Sequence, residues 1–241
     1  EKELRCGDNP DQKAVMYVFP WATESPMAHL ERLTGRESSV TNITDVDAGL
    51  RVVRLFREPA AVVIKHNTSC GIALGETCTE ALTRALEADP ESAFGGVVVL
   101  NGPMTWEAAQ AINSFKQSGR GRMDVVAATE IDDKTLEFLQ SIRKSTGIYT
   151  FGKLPPRREG EILYKAIDGG FILQTENNPE ASYPNWKVVT NTQPTEQQLV
   201  QMKFAWKCLS RTKSNTVIVV DPLIPMTRGI GTGQTSRVLA T

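Results

Sequence analysis

Ala60-Ala61-Val62-Val63-Ile64, then Thr77-Cys78-Thr79-Glu80-Ala81-Leu82-Thr83-Arg84-Ala85-Leu86, then Gly96-Val97-Val98-Val99-Leu100 decide the fold class. The first and third stretches are short apolar runs bounded by polar or turn residues, the pattern of buried strands. Between them Thr77 offers an N-cap, and Cys78, Ala81, Leu82, Ala85 and Leu86 recur at helical spacing. Asp89-Pro90 stops that helix. Working outward, 105–117 reads as helix, 123–128 as strand, 133–144 as helix and 148–151 as a further strand. Repeated β-α-β order with short connections predicts a three-layer α/β unit with a largely parallel sheet.

The composition shifts after Phe151. Lys153 to Gly160 carries two prolines and the pair Arg157-Arg158, as an exposed connector would. Beyond it come an apolar segment at 169–174 and a polar loop at 175–186. Thr195 and Gln198 form a capping box for a helix with apolar positions at Leu199, Met202, Phe204, Ala205 and Leu209. A β-branched strand follows at 215–220, and Asp221-Pro222 begins a turn. The expected division is a three-layer unit over 1–155 and a smaller α/β unit over 156–241.

Composition excludes several classes of function. The 241 residues hold 27 Lys plus Arg against 28 Asp plus Glu. That balance argues against nucleic acid as a partner, because such binding rests on clustered positive charge. It leaves room for a locally basic pocket that takes a small anion. No apolar run approaches the ~20 residues that span a bilayer, and Glu1-Lys2-Glu3 does not open a signal peptide, so a cytoplasmic location is expected. Cys6, Cys70, Cys78 and Cys208 lack Cys-x-x-Cys spacing, which points away from a disulfide framework and from structural zinc.

Three segments carry candidate chemistry. Lys65-His66 follows a buried strand, where α/β sheets place ligand groups. Histidine can take a proton near neutrality, and an adjacent ammonium can stabilise an oxyanion. The alternative for this pair is a solvated strand end. Gly95-Gly96 allows close approach of a ligand to the backbone, or simply turns the chain from helix to strand. Gly229-Ile230-Gly231-Thr232-Gly233-Gln234-Thr235-Ser236-Arg237 is a loop able to cradle an anion, though neither a Walker A loop nor a dinucleotide fingerprint. A rival enzyme reading makes Cys70 a nucleophile with His66 as its base.

In order, these segments resemble one family. Leu4-Arg5-Cys6-Gly7-Asp8-Asn9-Pro10-Asp11-Gln12 is similar to the Leu-Arg-Tyr-Gly-x-Asn-Pro-His-Gln opening of AICAR transformylase domains. Asn42-Ile43-Thr44-Asp45-Val46-Asp47-Ala48 resembles that family's Asn-x-x-Asp-x-Asp-Ala segment. The Lys65-His66 stretch, Ser92 to Gly96, Gly169 to Gln174, Phe204 to Lys207, Lys213 to Asn215 and Gly229 to Arg237 follow at family-like intervals.

The resemblance implies a cytidine deaminase-like fold. It also implies formyl transfer from 10-formyltetrahydrofolate, as cosubstrate, to the 5-amino group of AICAR, giving FAICAR on the way to IMP. By resemblance His66 accepts the proton, Lys65 stabilises the transition state and Asn215 bonds the reacting region. Arg5, Cys6, Gly95 and Asp124 would bind the nucleotide, while Gln234, Arg237 and Val238 would face the folate. The implied assembly is a homodimer. The deaminase zinc signature is missing, so no zinc is expected.

The chain departs from the family at Cys6 and Asp11, which stand for tyrosine and histidine, and at Thr129, which stands for proline. It also stops at Thr241, where family domains continue into a second deaminase-like subdomain, and the family's cyclohydrolase domain is not present. A fragment of a full transformylase is therefore expected. The alternative is a partner-dependent or inactive homologue that binds nucleotide or folate.

Overall fold

The computed structural model describes residues 1–156 and 160–241, so part of the anticipated connector, including Arg157-Arg158, lies outside the described residues. In chain order the elements are β1 (Lys2–Leu4), β2 (Ala14–Met16), β3 (Glu31–Thr34), α1 (Val40–Val53), β4 (Ala60–Lys65), β5 (Thr68–Leu74), α2 (Cys78–Ala88) and β6 (Val97–Leu100). There follow α3 (Trp106–Gln117), β7 (Val125–Ala128), α4 (Asp133–Ile142), β8 (Gly147–Thr150), β9 (Ile162–Ile167), β10 (Gly170–Thr175), α5 (Glu196–Leu209), β11 (Val217–Val220) and β12 (Thr227–Gly231).

A six-stranded sheet in the order β3-β8-β7-β6-β4-β5 forms the middle layer. Strand periodicity divides its side chains between two cores. Ala60, Val62 and Ile64 of β4 pack with Val46, Leu50 and Val53 of α1. Ala61 and Val63 pack with Ala81, Leu82 and Ala85 of α2, in a core that α3 and α4 also enter. Covered on both faces, the central strands β4, β6 and β7 are apolar almost throughout, and so their sequence shows runs rather than alternation. The helix starts are local: Thr77, Thr105 and Asp132 each accept a backbone N–H three residues on. Ser39-Asn42 and Thr195-Gln198 close full capping boxes.

The sheet is mixed, which corrects the expectation of a largely parallel one. Only β6–β7 and β7–β8 run parallel, whereas β3–β8, β4–β6 and β4–β5 are antiparallel. The reason is a strand that the sequence reading treated as loop. Straight after β4 the chain reverses through His66 and Asn67 and returns as β5 before α2 begins. Thr68, Ser69 and Gly71 gave that strand no apolar signature.

The later segments lean on this frame. Phe204 and Cys208 of α5 join the core beneath α1, with the Phe56 and Phe204 ring centroids 5.6 Å apart. The buried face of α5 is Gln201, Phe204 and Cys208, while Met202, anticipated as an inward position, is exposed. The hairpin β11–β12 attaches to the free edge of β5: Met226 bridges Ala73, and the Thr227 hydroxyl accepts the Ile72 N–H at 3.0 Å. The ribbon β9–β10 exposes apolar side chains from both strands, among them Tyr164, Ile167, Phe171 and Leu173.

Gly71 shows how closely α2 sits on β5. A Cβ there would lie 2.1 Å from the backbone oxygen of Ala85 and 2.7 Å from the Ala88 Cβ. Gly71→Ala should therefore force helix and sheet apart and cost about 1–3 kcal/mol of stability. Urea unfolding monitored by circular dichroism measures it, and an unchanged midpoint would contradict the packing described.

Candidate functional site

The turn that reverses β4 into β5 is the centre of the candidate site. The register pairs Lys65 with Thr68, so His66 and Asn67 are the two central residues of a tight hairpin. Both lie in the left-handed region, at φ 54° and 59°. A two-residue hairpin asks for this geometry so that its twist matches the strands, yet left-handed backbone costs about 1–2 kcal/mol for each residue bearing a Cβ. The turn has a compensating contact from α1. Asp45 Oδ1 accepts the Asn67 N–H at 2.6 Å, and the His66 N–H also favours the ionised carboxylate. Asp45 is only 4% exposed. Burial pushes its carboxyl above the usual range, and the two N–H groups and His66 pull the other way.

The same sheet end gathers more of the anticipated residues. Ile64 pairs with Val97, so Lys65 stands opposite Gly96, where a Cβ would come within 2.8 Å of Val63 Cγ1. Gly95, at φ 73°, donates its N–H to the Arg122 oxygen at 2.6 Å. A Cβ on Gly95 would lie 3.9 Å from Asp124 Oδ2. Asp124 precedes β7 and donates its N–H to the Gly96 oxygen, while Arg143 Nη1 holds its Oδ1 at 2.7 Å. That arginine was not anticipated from sequence. Arg5 and Cys6 arrive through the cap of α1, the Arg5 N–H bonding the Ser38 oxygen and the Cys6 oxygen accepting from Val40. Cys6 is buried and Arg5 exposed.

Asn215 lies on the other side, after a cis peptide bond from Ser214. Its Nδ2 donates to the oxygens of Gln234 and Thr235 at 3.0 and 3.3 Å, and its backbone pairs with Gln234 in both directions. Asn215 thus holds the glycine loop. Because β12 runs antiparallel to β5, its Gly231 end extends toward Thr68 and the Lys65-His66 turn. A cavity of about 650 Å³ occupies the gap, lined among others by Asn67, Thr68, Arg51, Lys213 and Thr232. Gln234, Arg237 and Val238 are exposed, and among the described residues no hydrogen bond joins them to the turn. A larger cavity, about 790 Å³, opens at the opposite end of the sheet near Phe56 and Asn101 and holds none of the anticipated side chains.

Cys70 does not suit the nucleophile role considered for it. It sits within β5 rather than on a loop, and burial, helped by Asp89, pushes its thiol up to about 11 against the pull of Lys65. Among the described residues no group of three or more His, Cys, Asp or Glu could hold a metal ion. No helix among them is long and apolar enough to cross a membrane. Asp45 lies in the family-like segment 42–48, which by itself assigns it no role. The available signal was a carboxylate directly beside Val46, on the face that buries Leu50 and Val53.

Comparison with known proteins gives the family. The chain is 35% identical over 238 residues to the bifunctional purine biosynthesis protein PurH of Halalkalibacterium halodurans, covering 99% of this chain and 45% of that protein. It is 35% identical to the PurH protein of Oceanobacillus iheyensis, covering 98% and 44%, and 34% identical to that of Bacillus cereus, covering 99% and 45%. The chain thus spans less than half the length of the curated relatives it matches. The family model described as AICARFT/IMPCHase bienzyme matches residues 1–241, and the chain belongs to that family.

Proposed function

We propose that this chain contributes the Lys65-His66 half of a formyl-transfer site in purine (IMP) synthesis, acting on AICAR and 10-formyltetrahydrofolate. The observation that carries this reading is the gathering of the Lys65-His66 turn, Gly95 and Asp124 at one end of the sheet, in a chain of this family. AICAR's amine is a weak nucleophile, because its lone pair is delocalised into the imidazole and its carboxamide. As the amine nitrogen bonds the formyl carbon, His66 removes an amine proton and the Lys65 ammonium faces the developing oxyanion. The bond from the formyl carbon to the folate nitrogen then breaks, and the proton held by His66 goes to that nitrogen. Tetrahydrofolate and FAICAR leave.

In this reading Arg5, Cys6, Gly95 and Asp124 hold the nucleotide, and Asn215 fixes the loop beside the reacting groups. Gln234, Arg237 and Val238 meet the folate. We assign the first role set to 1–155 and the loop functions to 156–241, within a cytoplasmic homodimer. A second reading, ligand binding without turnover, draws support from Cys6, a small buried side chain where the family has a tyrosine.

His66→Ala, made in a protein that carries this chain and transfers formyl, should lower turnover by ~10²–10⁴-fold. AICAR affinity should change far less. Near-normal turnover in a steady-state assay would remove His66 from the base role. Lys65→Met should lower turnover by ~10²–10³-fold, the loss seen on deleting an oxyanion donor. Lys65→Arg should restore only part of it, since a planar fork does not place charge as an ammonium does. Full rescue would instead assign Lys65 to general anion binding.

The chain's extent gives a further test. Residues 1–241 alone should bind AICAR weakly and release little tetrahydrofolate, because part of a cleft leaves the formyl group open to water. Joining the remaining transformylase region of a relative should raise turnover. Robust activity from 1–241 alone would contradict this. AICAR binding without turnover in both forms would favour the second reading.

A further inference from the structure

We infer that Asp45 is the positioning residue of this site, holding Lys65 and His66 in register through the backbone of their turn; the catalytic consequence rests on the function proposed above. The turn has two left-handed residues in succession, neither of them glycine. Such a backbone keeps one geometry only where its surroundings over-determine it. The β4–β5 ladder fixes the two flanks, Lys65 and Thr68. What remains to be fixed is the centre of the turn, and there the Asp45 carboxylate takes the Asn67 N–H at 2.6 Å. This is a charge-assisted bond in a buried setting, roughly twice as strong as a neutral one.

Asp45 is itself rigidly held. It lies in α1 between the Ser39-Asn42 capping box and the core residues Val46 and Leu50. The cap of α1 is bonded to the Arg5-Cys6 segment, because the Cys6 oxygen accepts the Val40 N–H. One helix therefore spaces the Arg5-Cys6 segment from the Lys65-His66 turn. Asp45 is too enclosed to reach a ligand, so its action passes through the turn.

The test has a structural arm and a kinetic arm. In residues 1–241, amide hydrogen exchange is compared for the unsubstituted chain, Asp45→Asn and Asp45→Ala. Asp45→Ala should expose the Asn67 amide to rapid exchange while the Val62 and Val63 amides of β4 keep their protection. Asp45→Asn, which keeps the volume and one acceptor, should be intermediate, and it stands in if the alanine variant does not fold. Unchanged Asn67 protection in a folded variant would overturn the inference.

In a transferring protein that carries the chain, Asp45→Ala should lower kcat by up to ~10²-fold, the loss that follows a small misplacement of a catalytic group. KM for AICAR should move much less, and Asp45→Asn should recover part of the loss. In a His66→Ala background Asp45→Ala should cost far less than in the unsubstituted protein, because the two act through one turn. Full additivity would overturn the positioning role. If the chain joined to the remaining transformylase region transfers no formyl group, the proposed function fails, and the exchange arm still decides whether Asp45 holds the turn.

Discussion

Burial of β4 on both faces and pairing of both its edges is the constraint on which the rest depends. Val62 and Ile64 belong to one core and Val63 to the other, while β5 and β6 take the two ladders. A strand so enclosed has no place for an ionisable side chain except at its end. Lys65 and His66 stand there, and the sharp reversal after them sets the direction in which they leave the sheet. The mixed topology follows from the same reversal. Once the chain has returned as β5, α2 begins from the outer edge and has to cross β4 to lay down β6 beside it.

Those parts of the fold governed by short-range rules could be read from the sequence. The α2 stripe of Cys78, Ala81, Leu82, Ala85 and Leu86 is the face that is buried. The Thr195-Gln198 capping box closes as its spacing implies, since four residues contain the whole mechanism. β5 was missed because its partners are distant in sequence. Its Ser69 and Gly71 are strand residues only because β4 lies on one side and Thr227 and Met226 on the other. Met202 was misread on α5 for a similar reason. Residues 201, 204 and 208 face the core, so Gln201 is inside and the more apolar Met202 is wet.

The site was legible to a comparable extent. Lys65, His66 and Gly95 could be picked out as candidates because each lies at the end of a strand that was itself readable, whereas Asp124 was named only through the family resemblance. The supports could not. Arg143 reaches Asp124 from beyond α4, and Asp45 reaches the turn from α1. Neither pairing leaves a local pattern, since each is a contact between elements whose order in the layers has to be known first. The buried Glu176, bonded by Arg51 of α1 and by Arg211 beyond α5, is another of this kind. It ties α1 to the later segments at the wall of the cavity beside the turn.

The β9–β10 ribbon has a different standing from the sheet. Among the described residues its two strands pair only with each other, and with Phe171, Ile172 and Leu173 wet in succession such a hairpin lies at the margin of independent stability. The protein should therefore possess two tiers of cooperativity: a three-layer body that opens only in global unfolding, and a ribbon that opens at a fraction of that free energy. Any surface that covered the ribbon would raise the lower tier without touching the upper one. A melting curve followed at Tyr164 and one followed in the sheet would then be reports on separate equilibria.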